Sequence, residues 1–148
     1  MKKLLLSLAI AAFIASGAVA QESTTVILLN YNTVKKKVEK SDTEIQDPKK
    51  NTKAATWEKR GELYQDVFML GLEQLVEGMP STTMELFYKE PNNKETETKE
   101  NGALYEKYIY DHMTYTFVNG ALQEWERLDP IHEDPLGVAI EAYFKTHE

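Results

Sequence analysis

The apolar positions of this 148-residue chain change period several times, and each change predicts a different element. Behind Lys2 and Lys3, residues 4–15 form an apolar run, and the small residues Ala18, Val19 and Ala20 precede Gln21. That three-part pattern predicts a secretory signal peptide cut after Ala20. A run of about a dozen residues is too short to span a hydrocarbon core as a stable helix. Residues 24–29, TTVILL, suit either a strand or an extended approach to a helix. From Asn30 the period becomes helical, with Tyr31, Val34, Val38 and Ile45 near one face until Asp47 and Pro48 end it.

Residues 51–78 hold the longest periodic signal. Trp57, Gly61, Tyr64, Phe68, Leu72 and Leu75 recur at intervals of four and three, and Leu63, Val67 and Leu70 widen the stripe. Asn51 or Thr52 is expected to cap this helix, and Gly78 with Pro80 to stop it. A glycine inside a helix costs about 1 kcal/mol, so Gly71 leaves open one long helix or two joined there.

The period then shortens to two. In residues 81–88, Met84, Leu86 and Tyr88 alternate with Thr83, Glu85 and Phe87, which predicts a half-buried strand. Residues 89–102, KEPNNKETETKENG, contain no aliphatic side chain and are expected to form a mobile loop. Residues 105–111 and 113–118 alternate again. Asn119 and Gly120 then accept the positive φ angles of a type I′ hairpin turn leading into residues 121–125. With a two-residue turn Val118 pairs with Ala121 and Phe117 with Leu122. Met113, Tyr115, Phe117 and Leu122 then share the buried face; Thr114, Thr116, Val118 and Trp125 share the other. A three-residue turn would move Trp125 across. Finally Leu136, Ala139, Ile140, Tyr143 and Phe144 form a helical stripe opened by Asp134 as N-cap and Pro135 as first helical residue.

Two windows carry a family resemblance. Trp57, Gly61 and Tyr64 stand at the spacing W-x2-L-G-x2-Y, so this segment resembles the first helix of a tetratricopeptide repeat, with Arg60 in the leucine position. A glycine there lets a second helix approach closely. The second helix should bring a small residue nine positions after the tyrosine and an aromatic four later, but Glu73 and Glu77 occupy those places. Ala139 and Tyr143 supply that pattern instead, 75 positions after Tyr64. The resemblance implies one helical hairpin interrupted by an insert, with Gly61 packed on Ala139. It also implies a surface for peptide or protein segments, shaped by Trp57, Gly61, Tyr64, Ala139, Tyr143 and Phe144.

Signal removal would leave one domain, residues 21–148, with 15 basic and 24 acidic side chains and a net charge of −9. Such a length buries roughly two thirds of its unfolded surface. The chain has no cysteine, so disulfides, thiolate metal sites and a lipid-acceptor cysteine are excluded. The acidic balance argues against nucleic acid and anionic membrane surfaces. Lys35, Lys36, Lys37 and Lys40 form the only candidate basic patch, and they read as a solvated helix face.

The fold expected is α+β: a repeat-like antiparallel helix pair with a small antiparallel β-sheet, residues 79–132, inserted between its helices. By resemblance to exported tetratricopeptide-repeat proteins, the expected role is non-catalytic interaction or assembly in the cell envelope. The location would be periplasmic or extracellular, with no integral membrane segment after signal removal. No cofactor and no metal are expected, and the partner would be a protein or peptide. The bare stripe of the last helix allows oligomerisation, or a place at the head of a longer repeat array. A second possibility is a small-ligand or glycan module using the aromatic insert, Tyr88, Tyr105, Tyr108, Tyr110, Tyr115 and Trp125. A third, metal-assisted hydrolysis, would use His132 and Glu133 within residues 129–134, because a histidine among carboxylates can hold a divalent cation. His112 and His147 have no nucleophile partner in sequence, and no glycine-rich phosphate loop or G-x-S-x-G context occurs.

Overall fold

The computed structural model describes residues 28–147. The signal-peptide segment and most of residues 24–29 lie outside the described residues. Helix α1 is Tyr31–Gln46, opened by Asn30, whose side chain accepts the Thr33 N–H at 3.0 Å. Helix α2 is Ala54–Met69. Its N-cap is Lys53, with no side-chain cap bond, so neither Asn51 nor Thr52 plays the expected part. The helix ends at Met69, Leu70 already turning to ψ 118°, and Gly71 follows with φ +80°. Leu72 and Leu75 are therefore not helical; they lie beyond the helix end and pack against the sheet core.

Residues 81–88 correct the strand expected of them. Ser81–Phe87 form a short helix, α3, in which Met84 is fully buried and Leu86 is 79 % exposed. Met84 and Tyr88 fall one helical turn apart, so the same apolar positions satisfy a period of 3.6. The sheet edge is served by a different segment: Gly78 N–H donates to the Leu122 carbonyl and Leu122 N–H to that of Met79, both at 2.8 Å.

The expected mobile loop is also corrected. Within it Asn93–Thr98 form strand β1, antiparallel to β2, Leu104–Ile109. Every β1 side chain is exposed, so backbone pairing supports it without apolar burial. Lys94 adds a side-chain tie, lying 4.4 Å from the Tyr108 ring centre and 2.9 Å from Glu85 Oε1. Strands β3, Met113–Val118, and β4, Ala121–Arg127, complete a sheet ordered β1-β2-β3-β4. Helix α4, Pro135–Lys145, follows, with Asp134 Oδ1 accepting the Gly137 N–H at 2.9 Å.

The β3–β4 hairpin has the expected register at its turn, Val118 with Ala121 and Phe117 with Leu122, and positive φ at Asn119 and Gly120. A bulge then inserts Gln123, so Thr116 pairs with Glu124 and Tyr115 with Trp125. Trp125 consequently lies on the Tyr115 face, not with Thr114, Thr116 and Val118. The two-residue turn is intact; the bulge moves the side chain.

The molecule is α+β, with the helices α2 and α4 paired and the sheet inserted between them. They run antiparallel: Lys145 lies over Trp57, Tyr143 against Gly61, and Ala139 shares a buried cluster with Tyr64 and Val67. Val34 and Val38 of α1 complete that helical core. A second core, of Met79, Met84, Tyr108, Met113, Tyr115, Phe117 and Leu122, fills the inner sheet face.

Candidate functional site

Helix α2 brings one glycine to its contact face. A β-carbon on Gly61 would lie 2.7 Å from Tyr143 Cζ, so the Tyr143 ring occupies the space that glycine leaves. The close approach expected between Gly61 and Ala139 is thus made by Tyr143, while Ala139 is buried within the helical core. Trp57 is half-buried and its indole N–H donates to the Asn51 carbonyl at 2.6 Å. Tyr64 is buried edge-on to the His132 ring. Of the six residues expected to shape an interacting surface, only Phe144 is exposed, at 70 %. Leu136 and Ile140 join it on the outward face of α4. Leu136 also borders a groove of about 340 Å³ whose walls include Phe68 and Trp125.

A separate cleft of about 250 Å³ opens where the two cores meet. Leu29, Val67, Leu70 and Ile131 line it from the helical side; Tyr88, Tyr110, Met113 and Tyr115 line it from the sheet side. The three sheet-side tyrosines pack on one another with ring centres 5.6–6.5 Å apart. Each hydroxyl is turned to the backbone: Tyr88 donates to the Glu73 carbonyl at 2.8 Å, Tyr110 to that of Lys89 at 2.9 Å, and Tyr115 to that of Gly71 at 2.5 Å. The aromatic insert therefore does not form one stacking surface. Tyr108 packs on Phe117 in the sheet core, Tyr105 lies beneath Lys99, and Trp125 beneath Arg127.

Much of the remaining polar lining is held by the protein itself, with His112 Nδ1 an exception. Tyr31 donates to Asp129 Oδ2 at 2.7 Å and stacks on His112, the rings 3.5 Å apart and 9° from parallel. His112 Nδ1 is buried without a hydrogen-bond partner and stands 3.9 Å from the same carboxylate oxygen. Arg127 donates to the Phe68 carbonyl near the C-terminus of α2, where a cation complements the helix dipole. Burial pushes the Tyr31 phenol up to about 12, helped by the bond to Asp129, and burial alone is the leading cause that takes Tyr110 to about 12. Tyr88 and Tyr115 are raised further by the same cause, while burial lowers Arg127. The raised tyrosines keep their protons near neutrality.

Residues 129–134 do not converge on a cation site. Asp129 faces Tyr31, His132 Nδ1 accepts the Asp134 N–H, Asp134 caps α4, and Glu133 is exposed. Among the described residues no group of three or more histidines and carboxylates is placed to hold a metal, and no helix is long and apolar enough to cross a membrane. The stack of Tyr31 on His112 escaped the sequence because the two positions belong to elements 81 residues apart, and a lone histidine in a tight turn carries no local signal. Compared with known proteins, the chain matches no family model, no curated protein and no solved structure.

Proposed function

We propose that this chain is an exported, non-catalytic docking protein of tetratricopeptide-repeat-like type, acting on a protein partner in the cell envelope. The observation that carries this reading is the apolar stripe on the outer face of α4. Leu136, Ile140 and Phe144 are 41 %, 58 % and 70 % exposed, one helical turn apart in succession. Contiguous apolar surface costs solubility and is retained where it is covered in use. The antiparallel pairing of α2 with α4 supports the reading, although the ring of Tyr143, and not Ala139 as the resemblance implies, fills the space at Gly61.

The test is crosslinking with mass spectrometry in the native envelope, comparing the wild type with the triple variant Leu136→Ser, Ile140→Ser, Phe144→Ser. Crosslinks from α4 to one partner that disappear in the triple variant, at unchanged melting temperature, are the expected outcome. Crosslinks indifferent to the three substitutions would overturn the reading.

A second reading, a small-ligand module, is favoured by one observation: Tyr88, Tyr110 and Tyr115 converge on a single cleft.

A further inference from the structure

We infer that the cleft between the two cores binds a planar, largely apolar molecule of one or two aromatic rings, and not a glycan. The inference rests on the ligand-module reading and names its ligand class. Glycan sites combine an aromatic face with polar groups free to meet several sugar hydroxyls, whereas apolar sites need only shape and a few polar groups. Here the hydroxyls of Tyr88, Tyr110 and Tyr115 all donate to backbone carbonyls of the protein, at Glu73, Lys89 and Gly71. What these side chains present to the cleft is ring surface.

The opposite wall continues that chemistry. Leu29, Val67, Leu70 and Ile131 are only partly or scarcely exposed and bring hydrocarbon alone. The charged lining groups Lys89, Glu90, Asp111 and Asp129 stand on exposed positions; Arg127 and His112 are partly buried, Arg127 donating to the Phe68 carbonyl. Asp129 is already engaged by Tyr31. The size sets an upper bound on the occupant. An apolar cavity of about 150 Å³ accepts benzene; a cleft of about 250 Å³ accommodates one further fused ring.

A rigid ring packed between these walls gains dispersion contacts without ordering any side chain that is already packed. Tyr88, Tyr110 and Tyr115 hold one another in place and are hydrogen-bonded, so the wall is preorganised.

The test uses the full chain, titrated separately with indole, 1-naphthol and maltotriose and followed by two-dimensional amide NMR. The expected result is saturable shifts at Gly71, Met113 and Ile131 with indole and 1-naphthol, and none with maltotriose. Tyr110→Phe, which keeps the ring and removes a hydroxyl already bonded to the Lys89 carbonyl, should change affinity by less than about twofold. Ile131→Trp, which fills the cleft, should weaken both aromatic probes by about tenfold or more, equivalent to about 1.4 kcal/mol. If Ile131→Trp fails to fold, Val67→Phe serves as the filling variant. Shifts at these residues with maltotriose alone would overturn the ligand class and leave the ligand-module reading standing. No saturable shift with any of the three probes would overturn both.

Discussion

The ring of Tyr143 lies where a β-carbon at Gly61 would have to go, its Cζ 2.7 Å from that point. Helix propensity alone favours alanine over glycine by about 1 kcal/mol. Overpacking a close contact costs about 1–3 kcal/mol. Gly61→Ala is therefore expected to destabilise the wild type and to stabilise a Tyr143→Ala background by up to about 1 kcal/mol. Urea midpoints of the four proteins check this reversal of sign. A stabilising effect in both backgrounds would show that the helices do not touch so closely.

Arg60 joins α1 to α2 and is buried at the position where the repeat pattern has leucine. Its Nη1 donates to Ser41 Oγ at 2.9 Å and to Asp42 Oδ1 at 2.8 Å, and the guanidinium lies 4.7 Å from the Tyr64 ring centre. The Asp42 side chain is about half exposed, so solvent screens its ion pair. Ser41 is buried, and leaving it unpaired costs about 1–3 kcal/mol. Arg60→Met should lose about that much, Arg60→Lys should recover little, and Ser41→Ala added to Arg60→Met should recover most of it. Thermal denaturation of the set measures the order.

The tyrosines around the cleft set the alkaline limit of the fold. Tyr31 and Tyr110 are raised to about 12 from an ordinary phenol value near 10, with burial the leading cause for each. The folded state thus holds these protons more tightly than the unfolded state does. Stability is fully present below about pH 10 and falls as pH rises through about 12. Absorbance of tyrosinate at 295 nm should appear together with the loss of far-ultraviolet circular dichroism. Ionisation of all the tyrosines near pH 10 with native dichroism would contradict the burial described here.

Asp134 and Gly137 form a matched pair at the start of α4. Asp134 Oδ1 accepts the Gly137 N–H, and its other carboxylate oxygen occupies the place of a Gly137 β-carbon. Asp134→Ala should cost about 1 kcal/mol. Gly137→Ala should destabilise while the cap is present and become favourable once Asp134 is alanine. A double-mutant cycle in denaturant reads the coupling directly.

Much of the architecture was legible from periodicity. The stripe from Tyr31 to Ile45 is α1, the aromatic-glycine stripe from Trp57 to Phe68 is α2, and Asn119 with Gly120 makes the hairpin turn. Each is a local signal, complete within a few turns or one strand pair. The candidate site was less legible. Tyr88, Tyr110 and Tyr115 were recognisable as an aromatic group, but the same residue types serve any strand, and Tyr105, Tyr108 and Trp125 turned elsewhere.

By itself the sequence determined the helical faces, the buried side of β3 and the absence of thiol chemistry, because these depend on residue type and spacing within one segment. Tertiary structure alone decided that residues 81–87 coil instead of extending, that polar residues 93–98 pair as a strand, and that a bulge at Gln123 turns Trp125 to the inner face. It also decided the cleft. The deciding partners lie elsewhere in the chain: Leu104–Ile109 for β1, the sheet core for Met84, and Asp129 for Tyr31 beside the cleft. Such contacts are selected by what the assembled chain leaves unpaired, and no local period encodes that.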